Sequence, residues 1–384
     1  MLTLEIAAFL VWSAIVTTLF ALLVPGYVLW LRWGGERTRR RPAGSSEPIV
    51  FDVVVPVHDE AALIARKLDD LAALVYPRAR VRFLVVDGAS TDGTWEAVRG
   101  RAADDARFTA LRLGAADKTR QLNAGLRQCG APWVVVTDAD ASLPPDTLLR
   151  LAAAAAGEPD AAVLGTAVVP ERAHPVERLH WRVANAIRRL ESLRGAASLV
   201  AGPCYAFRRS LLARFPADVV ADDAHVALAA AAQRRRAVIA DVCVTERRSP
   251  TRLPELLRHK IRKTDAYLRE IFRFLPRVGA MRPAARTIFL WRAAQLTVLP
   301  VLVALGALGT VVAWSHALPP GLALLPAAAV VLLGRGVART ASPLVVIAHG
   351  ALLSLATLAA LVAYPFTRQT AALPKIPSGG RRGA

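Results

Sequence analysis

Apolar, strand-like runs in this chain end repeatedly in acidic residues, and no other feature constrains the fold as strongly. Phe51–Val57 (FDVVVPV) leads into Glu60, Val81–Asp87 (VRFLVVD) closes on Asp87, and Pro132–Asp140 (PWVVVTDAD) closes on Asp138 and Asp140. Further strand-like runs lie at 107–113 and 161–169, and helical patterns at 59–74, 92–103, 118–129 and 145–156. Such alternation predicts βαβ units on a mostly parallel sheet, an α/β fold. Residues just past the carboxyl ends of neighbouring parallel strands converge on one crevice, where ligands bind. Carboxylates gathered there repel one another and lose hydration unless a cation or a donor sits among them. A divalent metal carrying a phosphorylated ligand meets that need.

The flanks point to a membrane. The chain is 54% hydrophobic, and residues 6–31 carry no formal charge. That run exceeds the ~20 residues needed to cross a bilayer. It starts without a basic residue and ends at Arg32, Arg37, Arg39, Arg40 and Arg41, so it reads as an uncleaved anchor rather than a signal peptide. Ala293–Gly334 is also free of charge and long enough for two passes turning near Pro319-Pro320, the second of them short enough to be re-entrant; Thr340–Thr367 makes a third stretch. Four spans are expected in all. The arginines at 32–41, 282–292 and 335–339 predict a multi-pass inner-membrane protein with its middle domain in the cytoplasm.

A net charge of +19 invites a nucleic-acid reading, but its distribution argues against one. Residues 49–246 hold 25 basic and 24 acidic residues, whereas residues 247–292 hold 13 and 3. Positive charge beside membrane spans attracts anionic lipid head groups, so membrane lipids are the expected partners and nucleic acid is not. Cys129, Cys204 and Cys243 have neither disulfide nor zinc spacing, which suits a reducing compartment. Neither G-x-G-x-x-G nor G-x-x-x-x-G-K-[ST] is present, so metal and side chains must hold any phosphate.

Asp138-Ala139-Asp140 places two carboxylates at i and i+2 where a strand leaves the pleat, and Mg²⁺ or Mn²⁺ prefers one or two carboxylates plus phosphate oxygens. Asp87 ends its strand as a candidate ligand contact, while Asp92 in the same VVDGASTDGT segment reads as a helix cap. Lys118 and Asn123 open a helix near the same crevice, where a lysine counters a diphosphate.

These pieces, in this order, resemble glycosyltransferase family 2, whose catalytic domain has the GT-A fold. The resemblance runs through PVHDE (56–60), VVDGASTDGT (85–94), KTRQLNAGL (118–126), VTDAD (136–140), AGPCYAFRRSLL (201–212), ADDAHVAL (221–228) and LPELLRHKIRK (253–263). It implies that Glu60 and Asp87, with Lys118 and Asp138, contact a nucleotide-sugar donor, and that Asp138 and Asp140 hold its diphosphate through the metal. Ala221-Asp222-Asp223 is similar to the family's T-E-D motif, which makes Asp223 the catalytic base and puts Asp222 on the acceptor side with His259 and Arg262. Two departures stand out. The family's D-D-G-S is here Asp87-Gly88-Ala89-Ser90, and its Q-x-x-R-W, found in processive members, is His259-Lys260-Ile261-Arg262-Lys263. Loss of that tryptophan removes a platform for stacking a growing chain.

The expected organisation is an anchor and basic linker (1–46), a GT-A-like catalytic domain (47–250), basic amphipathic interfacial helices (251–286) and a C-terminal membrane region with a tail (287–384). From Leu253 to Leu275 apolar residues recur at helical spacing with basic residues at 258, 260, 262, 263, 269 and 273, the pattern of a helix lying on a membrane. The function expected is an inverting, metal-dependent transferase moving a sugar to a lipid or glycan acceptor. The alternatives are a processive polysaccharide synthase and a non-catalytic nucleotide-sugar-binding membrane protein.

Overall fold

The computed structural model describes residues 22–33, 49–317 and 343–367, with a few further positions between 11 and 19. Its strands are β1 (Phe51–Val57), β2 (Val81–Gly88), β3 (Phe108–Leu113), β4 (Trp133–Thr137), β5 (Ala141–Ser142), β6 (Ala161–Pro170), β7 (Cys204–Arg208) and β8 (Arg236–Glu246). They form one sheet in the order β3-β2-β1-β4-β7-β6-β8-β5. β3, β2, β1 and β4 run parallel, β7 is antiparallel to β4 and β6, β8 is parallel to β6, and the short β5 is antiparallel to β8. This is a GT-A-like, mostly parallel sheet.

All seven residues of β1 are buried, because helices cover both of its faces. Phe51, Val53 and Val55 pack on one side with α2 (Ala61–Ala72), α3 (Thr94–Asp104) and α5 (Thr147–Gly157). Val54 packs on the other with Leu84, Val134 and α4 (Lys118–Gln128). α4 lies so close to the sheet that a Cβ at Gly125 would meet Val54 Cγ1 at 2.6 Å, and that contact fixes the helix whose first residue is Lys118. Asp52 is the charged exception in β1. Its carboxylate accepts from Arg82 at 2.8 and 3.0 Å and from the Gly130 and Ala131 backbone at 2.8 Å, which offsets its loss of hydration.

Beyond the sheet lie α1 (Tyr27–Trp33, entered by a π turn at Leu22–Gly26), α6 (Pro175–Leu193), α7 (Asp222–Ala232), α8 (Leu253–Phe274), α9 (Pro283–Ala317) and α10 (Pro343–Ala363). Buried Glu191 of α6 ties the outer helices to the domain. It accepts from Tyr27 Oη at 2.6 Å, from Arg292 Nε at 2.7 Å and from the Ser198 backbone N–H at 2.9 Å. Among the described residues one helix segment, Pro283–Gly306, is long and apolar enough to cross a membrane. The span expected after Pro320 and most of the one expected over 6–31 lie outside the described residues.

α8 departs from a simple lipid-facing surface. Of the basic residues placed on its polar side, Lys260 is buried against Glu177 at 2.6 Å, Arg269 pairs with Asp265 at 3.1 Å, and Arg273 pairs with Asp218 at 2.6 Å. Arg262 and Lys263 line an interior cleft instead. Part of the helix's charge is thus spent within the protein, on buried Glu177, on Asp265 of the helix itself and on exposed Asp218.

Candidate active site

A cleft of about 520 Å³ opens at the carboxyl ends of β1 and β4, lined among others by Glu60, Lys118, Asp138, Asp140, Asp222 and Asp223. They reach it from four places in the fold. Glu60 follows β1 and Lys118 opens α4; Asp138 and Asp140 leave β4, and Asp222 and Asp223 open α7. The two aspartates at the start of α7 also face the positive end of that helix.

Lys118 sits at the centre of the charges. Its Nζ lies 2.9 Å from Asp138 Oδ1 and 3.1 Å from Asp222 Oδ1. Burial works against its charge, but Asp138 and Asp222 outweigh it and hold the ammonium above the ordinary lysine range. Asp222 is fully engaged, since Tyr205 Oη donates to its other oxygen at 2.6 Å. Asp223 is not. Its Oδ1 accepts from the Ala224 backbone at 2.8 Å, while Oδ2 meets only a long 3.5 Å contact from Tyr267 Oη and faces Gly202. Burial, and then the Asp222 charge, push the Asp223 carboxyl up to about 6. A carboxylate with one open oxygen and a pKa near neutrality is suited to proton transfer.

Asp140 is half-buried beside Asp138 and Glu246, and loss of hydration followed by those two charges pushes its carboxyl up to about 7. Such a surplus calls for a cation. Among the described residues no group of three or more His, Cys, Asp or Glu side chains is arranged to hold one. Asp138 and Asp140 therefore fit Mg²⁺ or Mn²⁺ arriving with a diphosphate that completes its ligands, and do not form a closed protein site. Glu60 is held by Arg248 through two hydrogen bonds of 2.8 and 3.1 Å.

Two expected site residues do not line the cleft. Asp87 is wholly buried, with its carboxylate on the Ser90 backbone at 3.1 Å, on Ser90 Oγ, and on Arg112 of β3 at 3.4 Å. His259 points away, with Nδ1 3.4 Å from Arg262, and burial together with Lys263, Lys260 and Arg262 keeps its ring neutral. Arg262 does reach the cleft. Asn123 bridges both backbone groups of Phe215 and so braces a loop. Asp92, expected as the helix cap, stands one residue earlier than that, since Gly93 is the N-cap of α3; its carboxylate accepts from the backbones of Ala61 and Thr94, at the starts of α2 and α3.

Several residues of the site were missed. Gln121 donates to the Val57 and Val86 carbonyls at 2.7 Å, and Tyr205, Lys263 and Tyr267 come from β7 and α8. Lys67 was missed as well. It is entirely buried beneath Asp138-Ala139-Asp140 and donates to Thr137 Oγ1 at 2.8 Å and to the Ala141 carbonyl at 2.7 Å. A lone lysine in an amphipathic helix carries no sign of burial. Tyr205 had a better signal, lying inside the AGPCYAFRRSLL segment two residues past Pro203.

Comparison with known proteins bears on this geometry. Residues 52–215 match glycosyl transferase family 2. The chain is 28% identical to the structure of the mannosyltransferase PcManGT from Pyrobaculum calidifontis in complex with GDP-Man and Mn²⁺, with a TM-score of 0.73 over 92% of this chain and 99% of that one. It is also similar to an N-acetylglucosaminyltransferase of Mesorhizobium japonicum (28% identity over 179 residues, 44% of this chain and 42% of the relative). A third relative is the uncharacterized glycosyltransferase YaiP of Escherichia coli (29% over 200 residues, 49% and 48%). The chain thus spans less than half the length of these two curated relatives.

Proposed function

We propose that this protein is a membrane-bound inverting glycosyltransferase that moves a sugar from a nucleoside-diphosphate sugar to a lipid or membrane-associated acceptor. The observation that carries the reading is the convergence of Lys118, Asp138, Asp140, Asp222 and Asp223, from three separate elements, on one cleft. The match over residues 52–215 and the likeness to a transferase structure holding GDP-Man and Mn²⁺ support it. The apolar Pro283–Gly306 helix supports the membrane setting, and the arginines at 32–41, 282–292 and 335–339 are the reason for proposing that the catalytic domain faces the cytoplasm.

On this reading Asp138 and Asp140 hold Mg²⁺ or Mn²⁺, which when bound supplies electrostatic stabilisation of charge on the diphosphate. Lys118 adds a fixed positive charge beside the same phosphates. Asp223 Oδ2 takes the proton from the acceptor hydroxyl as its oxygen bonds to the anomeric carbon. Tyr205 holds Asp222 in place, so that Asp222 keeps Lys118 oriented and does not compete for that proton. Glu60 and Arg248 form the donor side of the wall.

The test is to incubate purified full-length protein in membrane lipid with a panel of nucleotide sugars and Mn²⁺ or Mg²⁺, measuring nucleoside diphosphate release. Release that depends on one donor, on metal and on lipid is expected. Binding of a donor with no turnover under any condition would leave the non-catalytic alternative standing.

A further inference from the structure

A second cavity, of about 300 Å³, lies behind the cleft between α6, α7, α8 and the apolar helices α9 and α10. Its volume is at the low end of small-molecule sites. Asp223, Lys263 and Tyr267 line both spaces, so the residue with the open carboxylate oxygen stands at their junction. The far wall is contributed by Leu296 of α9 and Leu353 of α10, with α9 the helix that is long and apolar enough to cross a membrane.

The charge in this cavity is unbalanced. Lys260 and Arg292 are neutralised by Glu177 and Glu191 at 2.6 and 2.7 Å. Arg188 donates to the Ala184 carbonyl at 3.2 Å and to Asn185 Oδ1 at 3.0 Å, Lys263 shares the wall with Asp223, and both cations lie over the ring of Trp181, at 5.4 and 5.5 Å. Asp223 is the one acidic side chain on the wall. Trp181 adds a buried indole N–H with no hydrogen-bond partner among the described residues. A buried donor left unpaired costs free energy that a bound acceptor atom recovers. An apolar chamber whose wall sets Arg188 and Lys263 against the single carboxylate of Asp223, with an unpaired donor beside them, is complementary to an amphiphile with an anionic head.

We infer that this cavity binds the acceptor, a single-chain lipid whose apolar tail lies against α9 and α10. Its anionic group would sit by Arg188 and Lys263, and its hydroxyl would reach Asp223. The inference rests on the glycosyltransferase reading and adds the class and route of the acceptor. In the transfer step the lipid hydroxyl oxygen bonds to the anomeric carbon and its proton passes to the Asp223 carboxylate. The bond from that carbon to the donor diphosphate breaks, its electron pair staying on the phosphate oxygen. Inversion requires that the hydroxyl oxygen meet the anomeric carbon on the face opposite the departing diphosphate, and entry of the acceptor from the second cavity and the donor from the cleft is compatible with that geometry.

The experiment uses full-length protein in nanodiscs and two photoactivatable probes with the same diazirine-bearing dodecanoyl chain, a lysophosphatidate and the neutral monoacylglycerol. Crosslinks are mapped by mass spectrometry. In wild type they are expected on the inward-facing residues of α6, α9 and α10. Ala184→Trp, which fills the cavity, should lower the yield of both probes at least about tenfold. Leu353→Phe is the milder filling to use if the first variant loses cooperative unfolding. Arg188→Gln should lower the lysophosphatidate yield at least about tenfold and spare the neutral probe. Crosslinks confined to the outer faces of α9 and α10, or yields unchanged in the filled variants, overturn the site. Equal loss of both probes in Arg188→Gln overturns the anionic head. Nucleoside diphosphate release is measured separately; its absence with every donor defeats the enzymatic reading and leaves the crosslink map to be judged by itself.

Discussion

Gly202 faces Asp223 so closely that a Cβ at position 202 would lie 3.3 Å from Asp223 Oδ2. The open oxygen of the proposed base is thus positioned partly by the absence of a side chain across from it. Gly202→Ala would press on the carboxylate and turn it by a few tenths of an ångström. Misplacing a reacting group by 1 Å costs on the order of a hundredfold, so this variant should transfer sugar roughly tenfold more slowly. Donor affinity, measured by calorimetry, should stay within error of wild type. A variant as active as wild type would show that Asp223 has room to spare.

Asp223 gives a pH prediction whose sign follows from its environment. Its carboxyl is raised to about 6, first by burial and then by Asp222. A base must be ionised to accept a proton, so kcat/KM should be level above about pH 6 and fall as pH drops through it. Stability should respond in the opposite sense. Between the unfolded carboxyl value and about 6 the folded state binds the extra proton, so this group's contribution to stability declines as pH rises through that window. Asp223→Asn should therefore lower transfer at least about a hundredfold while raising stability at pH 7 by roughly 1–3 kcal/mol. Asp222→Asn, which disturbs the Tyr205 and Lys118 contacts, should lower activity less and should not stabilise. Enzyme assays across pH and thermal unfolding of the same preparations check both arms.

How much of this was legible in the sequence depends on the range of the contacts involved. β1 was expected at 51–57 and is found there, and α2 to α5 fall within two residues of their expected bounds. Those elements carry their signal locally, in buried β-branched runs and helical spacing. β7 and β8 were not singled out, since β7 is a short strand whose partners, β4 and β6, are distant in sequence. In the site, the carboxylates that crown strands were legible as a set. The cations and tyrosines that answer them, Lys67, Lys263, Tyr205 and Tyr267, were not, because nothing local distinguishes a residue that folds inward from one that does not. Asp87, expected as a ligand contact from its place at a strand end, is wholly buried here with its carboxylate on Ser90 and Arg112, partners that its local sequence does not announce.

Removing Asp140 tests the cation. Its carboxyl is half-buried against Asp138 and Glu246, a crowding that a metal ion would relieve. Asp140→Ala should abolish the Mn²⁺ dependence of donor binding in calorimetry while the protein keeps a cooperative thermal transition. Metal-dependent binding equal to wild type would remove the pair Asp138/Asp140 from that role.

Lys67 should act on stability and site together. It bridges Thr137 Oγ1 and the Ala141 carbonyl, one on each side of the acidic motif, from inside the core. Lys67→Met keeps the side chain's length but leaves the Ala141 carbonyl without that donor, at a cost of roughly 1–3 kcal/mol. With its anchor gone, the Asp138–Asp140 turn should also bind metal and donor more weakly. Denaturant unfolding and donor titration of one preparation measure the two effects. A stable variant with normal donor affinity would show that Lys67 only fills space.

Ala89 offers a last prediction, from the departure at Asp87-Gly88-Ala89-Ser90. Its φ is 60°, in the left-handed region, where a side chain costs roughly 1–2 kcal/mol. The glycine that would relieve it stands one position earlier. Gly88 is held there by packing, since a Cβ at that residue would come within 3.0 Å of Gln121, whose amide ties β1 to β2. The two residues cannot exchange without disturbing the cleft wall. Replacing Ala89 alone removes the strain but adds the chain entropy of glycine, about 0.5–1 kcal/mol. Ala89→Gly should therefore leave activity intact and raise stability by up to about 1 kcal/mol, read as a higher midpoint in denaturant at unchanged slope. A lower midpoint would mean that the Ser90–Asp87 hydrogen bonds already hold this turn and that the alanine methyl packs usefully against it.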